Sequence, residues 1–316
     1  AASQLPHLDA QRLAFGFSVC AFVDISQRED LVEAFAQGYA GLETAAGRSL
    51  TLEEARKQVR TPALFGICAV KFGHADTVVG GAQHETREFF RPMVRTLAQE
   101  PLVSEAGVFV LPDEHPADLF PHNIVVFGDV GVNATLTPES LARTAVATCV
   151  IARDLIPVEV LPEIRGAIVS YSDRGSDEGP SAELVRQAAT LLPRLLEERA
   201  AEHERYATIR IQGEVKLNAA LRQASAIHYR KGKQDAWTGS PNVIICPSLD
   251  AGNLLYHTYG TRYPGARKFT ALSGLHSGGV DLAMDCTPED IRLTVKAALV
   301  RLHRCGTWTQ TPQDTF

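Results

Sequence analysis

From residue 76 onward, short runs rich in β-branched and aromatic residues alternate with amphipathic helical segments, and this rhythm limits the fold more than any other feature. It predicts a mostly parallel sheet covered by helices on both faces, because successive parallel strands need a crossover long enough to hold a helix. The predicted strands are 77–80, 108–111, 124–127, 167–171, 208–212, 243–246 and 268–272, and the predicted helices are 85–98, 138–155, 181–206, 218–226, 250–259 and 288–303. Pro138 and Pro288 each follow a threonine, so Thr137 and Thr287 are expected N-caps with proline at the first helical position. The first 60 residues read differently: Leu31, Ala34, Phe35 and Tyr39 fall at helical spacing, and Thr51 ahead of Glu53 and Glu54 marks a helix start with acids where the dipole favours them.

With 316 residues and 45% hydrophobic content, the chain is long and apolar enough for two packed cores. Its formal charge of −6 comes from interspersed acids and bases, without a basic block to follow a phosphodiester backbone, so no nucleic-acid partner is expected. The six cysteines are scattered, with no CxxC pair and no zinc spacing. Buried, reduced thiols and no metal are therefore expected, in an intracellular, cytoplasmic protein. No apolar run reaches the roughly 18 residues of a membrane span. A start at Ala1 rather than Met leaves open a trimmed chain, unassigned first residues, or a processed precursor, the last of which would place it in an organelle matrix. There is no internal repeat, and the polar stretch 230–241 reads as a surface loop.

Several predicted strands run directly into clusters of Gly, Ser, Asn and Asp, as a ligand site at the carboxyl edge of an open sheet requires. These are Gly80 to His84, Gly128 to Asn133, Ser170 to Ser176, and Pro247 to Asn253. None has the glycine spacing of a dinucleotide fingerprint or the Lys-Ser/Thr of a P-loop, and no GxSxG elbow is present.

Taken together the clusters carry a resemblance. Gly213-Glu214-Val215-Lys216-Leu217-Asn218-Ala219-Ala220, followed by Pro247 to Asn253 and Tyr256, resembles the phosphotransacetylase pattern G-E-L-Q-x-D-A-A … P-N-L-E-A-G-N-x-x-Y. Ser170 to Ser176 resembles S-x-S-x-K-G-S with Arg174 for the lysine, and Phe127 to Asn133 resembles F-x-D-x-x-V-N. Gly80 to Pro92 resembles S-G-A-x-H-T-T-x-x-x-x-R-P, and Cys286 to Ile291 resembles C-S-x-E-D-I. The blocks agree in order and spacing from about residue 30 to 303, and the chain is identified as similar to the phosphate acetyl/butyryltransferase family.

The resemblance implies two α/β domains with mostly parallel sheets covered by helices and a cleft between them. On this reading 1–118 with 282–316 form an incomplete amino-terminal domain and 119–281 the second. It implies the reaction acyl-CoA plus phosphate giving acyl phosphate plus CoA, with coenzyme A as substrate or ligand and no covalently held cofactor, in a homodimer or as a subunit of a larger assembly. It casts Asp290 as the base for the thiol, although Thr287, Glu289 and Asp290 also make ordinary capping sense at a helix start. The remaining ligand frame is Arg91, Arg174, Ser170, Ser172, Ser176, Asp250, Gly252 and Asn253, in which the two arginines are candidates for anions or else solvated or structurally paired. His84 reads as a loop histidine, and Tyr256 and Tyr259, three apart, as packing residues on one helix face.

Departures accompany the matches. Where the family has D-L-S-R-G, this chain has Asp281-Leu282-Ala283-Met284-Asp285. Neither replacement can donate to an oxyanion or pair with phosphate, a loss that typically costs about 100-fold or more per group. Glu85, Asn218 and Ala106-Gly107 replace a family Thr, Asp and Ser-Ser, and the opening strand-helix-strand has no counterpart before Asp24. Two functions therefore stand beside each other: a phosphate acyltransferase, or an inactive relative kept as an acyl-CoA-binding regulator or structural subunit.

Overall fold

Six strands form one sheet in the order β5-β4-β6-β3-β2-β7. They are β2 (Ser104–Val110), β3 (Ile124–Gly128), β4 (Ile164–Val169), β5 (Ile209–Val215), β6 (Val243–Ile245) and β7 (Arg267–Ser273). The structure is a computed structural model, and it describes residues 22–85, 87–112, 119–230, 239–275 and 279–304. β5, β4, β6 and β3 run parallel, as the sequence rhythm predicts, while β2 runs antiparallel to both β3 and β7. The carboxyl ends of β5, β4, β6, β3 and β7 therefore share one edge with the start of β2, where Ala106 pairs with Gly128 and Ser104 with Ser273.

The chain divides into two compact units, the first running to Ala75 and the second beginning at Asp76. In the first, α1 (Glu29–Ala45), α2 (Leu52–Val59) and α3 (Pro62–Lys71) bury Phe35, Tyr39, Val59, Phe65 and Ile67. Phe35 packs edge-on to Phe65 and stacks on Phe72, and Gly38 leaves room for the Phe72 ring, which an added Cβ would meet at 2.3 Å. Thr51 begins α2 with a full capping box: its hydroxyl accepts from the Glu54 amide, and the Glu54 carboxylate accepts from Thr51 N at 2.9 Å.

In the second unit the sheet is covered on both faces. On one, α5 (Pro138–Leu155) and α6 (Pro180–Glu202) pack Leu141, Ala145, Val185 and Leu192 against Val108, Val126, Ile164 and Ile245. On the other, α7 (Leu217–Leu221), α8 (Gln223–Arg230) and α9 (Leu249–Arg262) meet Phe109, Phe127, Val169 and Ile244. Thr137 caps α5 as expected, accepting from the Ser140 amide. The expected helix 218–226 is instead two, because Arg222 is extended (φ −134, ψ 122); Ser240 Oγ donates to the Leu221 carbonyl next to the break, at 2.8 Å. The expected helix 85–98 begins later, as α4 (Phe90–Leu97), which puts Pro92 in a first turn that asks nothing of its missing N–H.

Two further strands, β1 (Val79–Gly80) and β8 (Val280–Asp281), pair in parallel. α10 (Pro288–Arg304) follows β8. The boundary expected between 118 and 119 lies between β2 and β3, neighbours in the large sheet. Among the described residues Cys68, Cys149, Cys246 and Cys286 are free, and burial pushes the Cys68 thiol up to about 12. No helix among the described residues is long and apolar enough to cross a membrane.

Candidate functional site

The sheet's carboxyl edge collects most of the motif blocks. The block at 128–133 folds around one carboxylate. Asp129, only 2% exposed, accepts from the amides of Glu105 (3.2 Å), Gly131 (3.1 Å), Val132 (3.1 Å) and Asn133 (2.9 Å), and from the Asn133 side chain. The loop is thereby preset before any ligand arrives.

The block at 247–253 docks on it. Ser248 caps α9 by accepting from Ala251 N, and Asn253 Nδ2 donates to Val130 O at 3.2 Å. Gly252 is required by contact: a Cβ there would stand 2.0 Å from the Asp129 carbonyl oxygen. Gly252→Ala should force α9 off the loop and cost about 1–3 kcal/mol, as overpacking of a tight contact does; urea unfolding of the full chain measures it, and an unchanged midpoint would sink this account. Asp250 is exposed in the first turn, where the helix dipole favours it.

The turn at 170–176 is organised by the block at 213–220. Glu214, buried, takes Gly175 N on its carboxylate at 3.3 Å and the Arg174 amide on its carbonyl at 3.2 Å, and pairs with Arg186 at 3.2 Å. Ser172 is fully buried and exchanges hydrogen bonds with Asp177, its amide is received by Ser170 Oγ, and Ser176 Oγ accepts from Asp173 N. Arg174 is exposed at φ +49.

A third group gathers where β8 meets β7. Gly81, at φ +102, lies so close to Asp281 that a Cβ would meet its carboxylate at 2.3 Å, which holds the Gly80 to His84 loop against 281–282. A small cavity of ≈ 30 Å³ is lined there by Tyr256, Lys268, Thr270, Ala283, Asp285 and Asp290, among others. Asp290 closes a capping box, its Oδ2 accepting from Thr287 N and Oγ1, each at 2.9 Å, while Thr287 Oγ1 receives the Asp290 amide. Met284 is 71% exposed. Arg91 lies exposed on α4 without a hydrogen bond or ion pair among the described residues.

Tyr256 joins the groups. Its ring covers Gly107, where a Cβ would meet it at 2.4 Å, and Tyr256 and Tyr259 both pack on Phe109, as their spacing predicts. Burial raises the Tyr256 phenol well above its ordinary value, with Glu105, Asp290 and Asp285 adding repulsion. Burial likewise pushes Asp281 up to about 6 and Glu105 up to about 7, the latter assisted by Asp129 and Asp281 and partly offset by the Thr270 hydroxyl. Glu105, Lys268 and Thr270 are absent from the sequence-derived site; the signal for Glu105 was the alternation of Glu105, Gly107 and Phe109 on one face of a strand that begins earlier than predicted.

The raised carboxylates carry a stability consequence. Between the unfolded value near 4.5 and the folded value of about 7, the native Glu105 binds protons the unfolded chain has lost, so stability falls as pH rises. From pH 5.5 to pH 8 the unfolding free energy should drop by about 2 kcal/mol on account of Glu105, and Glu105→Gln should flatten that slope. A wild-type stability that is level or rising over this interval would refute it.

A larger cavity of ≈ 340 Å³ lies elsewhere and includes none of the motif residues. Charged groups on its wall pair with each other, Arg199 with Glu100 (2.7 Å) and Glu202 (2.8 Å), and Arg205 with the buried Asp154 (2.9 Å). Among the described residues no group of three or more His, Cys, Asp or Glu could hold a metal ion.

A mostly parallel sheet covered on both faces, with preset loops along one carboxyl edge, defines an open α/β protein, a class that takes its ligands outside the carboxyl ends of its strands. The chain belongs to a family of this class: the family described as phosphate acetyl/butaryl transferase matches residues 7–299. It is 29% identical to the phosphate acetyltransferase of Clostridium acetobutylicum over 293 residues, covering 89% of this chain and 81% of the relative. It is 30% identical to that of Acetivibrio thermocellus over 254 residues, 79% and 70% of the two chains. Among solved structures, the EutD phosphotransacetylase from Staphylococcus aureus superposes with a TM-score of 0.67 at 26% identity, covering 92% of this chain and 83% of that one. This is a phosphate acyltransferase-type protein.

Proposed function

We propose that the protein exchanges an acyl group between coenzyme A and phosphate, acyl-CoA plus phosphate giving acyl phosphate plus CoA, along the carboxyl edge of its large sheet. One observation carries the reading: blocks distant in sequence meet, 80–84 with 281–282 through Gly81 on Asp281, and 128–133 with 247–253 through Gly252 on Asp129 and Asn253 on Val130, while Tyr256 lines the cavity that Asp281 and Asp290 share. Arg91 and Arg174 are the cations proposed for the phosphate and CoA anions, and Ser170, Ser176 and Asp250 frame the ligand. Ser172, Gly252 and Asn253 serve by shaping loops, since their contacts are made within the protein. Asp290 is proposed to line the reacting end, with one carboxylate oxygen committed to the helix cap.

The test is thiol release on mixing the protein with acetyl-, propionyl- and butyryl-CoA, with and without phosphate, beside calorimetric acyl-CoA binding. Release that requires phosphate is the expected result. Binding without release would point instead to an acyl-CoA-binding regulator, a reading that draws on Ala283 and Met284, and neither result would retire the site altogether.

A further inference from the structure

We infer that Lys268 is the cation that receives the reacting phosphate, supplying from β7 the charge that Met284 cannot, an inference that rests on the acyltransferase reading above. Among the described residues lining the small cavity beside Ala283 and Asp290, Lys268 is the cation. The other charged groups there are Asp281, Asp285 and Asp290, and Arg91 and Arg174 do not line it. Without Lys268 the charge on this wall would be wholly acidic and would turn an anion away.

Strand register aims the lysine at this place. Lys268 pairs with Phe109 and Thr270 with Gly107 across β7 and β2, and residues two apart on a strand share a face, so both lie on the face that Tyr256 covers. The stem of Lys268 runs along α9 past Gly260, where an added Cβ would stand 3.7 Å from Nζ and 3.9 Å from Cδ. The methylenes are thus covered by a helix while the charged head is left for a partner. No group of the protein takes it: among the described residues the Lys268 ammonium makes no hydrogen bond and no ion pair. Asp290 is meanwhile committed through Oδ2 to the amide and hydroxyl of Thr287.

Lys268 is half-buried, as are Asp290 and Cys286, while Ala283 and Asp285 are exposed and open the cavity to solvent. The charge is felt inside it: burial raises the Cys286 thiol, Asp290 and Asp285 add to that, and Lys268 acts the other way. A phosphate dianion carries more charge than any one of the three carboxylates, so an ammonium that none of them has taken is drawn to it.

In the direction of thioester formation the thiol sulfur bonds to the acyl carbon, the bond from that carbon to the phosphate oxygen breaks, and its electron pair stays on phosphate. Charge on that oxygen grows as the bond breaks, so Lys268 acts more strongly in the transition state than on the bound acyl phosphate. The thiol proton passes to Asp290 and from there to the departing phosphate, which balances the exchange. Lys268 offers a point charge where the arginine of D-L-S-R-G offers a planar fork, so it does not make Met284→Arg redundant.

The experiment measures thiol release from acetyl-CoA by the full chain with phosphate varied, beside acetyl-CoA binding by calorimetry. Lys268→Met should lower kcat/KM for phosphate by about 10- to 100-fold, the scale of a charge-assisted hydrogen bond lost, with acetyl-CoA affinity unchanged, and Lys268→Arg should recover most of it. In the Met284→Arg background Lys268→Met should cost less, because both cations then serve one anion, whereas a merely structural lysine would show the same loss in both backgrounds. Unmoved kcat and KM in Lys268→Met, or an equal loss of acetyl-CoA binding, overturns the inference while the acyltransferase reading stands. Should Lys268→Met not fold, the wild type decides: phosphate should slow acetylation of Lys268 by an amine-reactive ester, followed by peptide mass spectrometry, without slowing that of the exposed Lys296, and equal rates overturn the inference. No phosphate-dependent thiol release by the wild type overturns both.

Discussion

Replacing Asp129 by alanine should lower the unfolding free energy by about 4 kcal/mol, because it strips a buried acceptor from four backbone amides and one side-chain amide at once. Each donor left without a partner costs on the order of 1–3 kcal/mol, and water entering the loop can repay only part of that sum. The second unit holds more than 200 residues, so the thermal midpoint should fall by roughly 10 °C. Asp129→Asn should lie between: one oxygen still accepts, while the new NH₂ is turned against N–H donors. Acyl-CoA affinity should fall with stability in both variants, since α9 seats on the Asp129 carbonyl and on Val130. A loss below about 1 kcal/mol in Asp129→Ala would mean that the loop has other acceptors and that its carboxylate does not organise it.

The parts of this molecule that could be read from its residues are those with local causes. Thr137 and Thr51 cap because a hydroxyl ahead of a helix start satisfies amides whatever the tertiary fold. β3, apolar and buried from Val125 onward, and β6, a fully buried run of Val and Ile, read as central strands. What escaped has causes distant in sequence. The strand predicted at 77–80 is present as β1, but its partner β8, two residues about 200 positions further on, is too short for any periodicity to mark. The antiparallel sense of β2 is set by its pairing with β3 and β7, and no residue within it declares a direction.

The candidate site divides along the same line. Gly252, Asn253 and the 170–176 turn were found through resemblance, and the structure gives each a physical task in holding loops. Glu105 had no motif to point to it, and its neighbours Asp281, Thr270 and Tyr256 come from three other elements. A raised carboxylate is a property of the assembled fold, because burial and repulsion act through space.

Restoring the missing donors should produce the largest functional change. Ala283→Ser with Met284→Arg is expected to raise phosphate-dependent thiol release by about 100-fold or more, the scale of one or two transition-state donors regained. Room exists for both side chains, since Ala283 and Met284 are exposed and Ala283 borders the cavity that Lys268 and Asp290 share. An arginine at 284 would bring a cation next to Asp285, where this chain now has an anion beside the expected phosphate position. That proximity also sets the internal control. Asp285 could capture the new guanidinium, so the triple change with Asp285→Gly should exceed the double if pairing is what limits the gain. Steady-state rates with acyl-CoA held saturating and phosphate varied separate the contributions, because an arginine acting on ground-state phosphate lowers KM while a serine acting on the developing oxyanion raises kcat. An unchanged rate in double and triple variants, with binding of acyl-CoA intact, would show that Ala283 and Met284 are not what limits turnover, and the amino-terminal unit would become the next place to look.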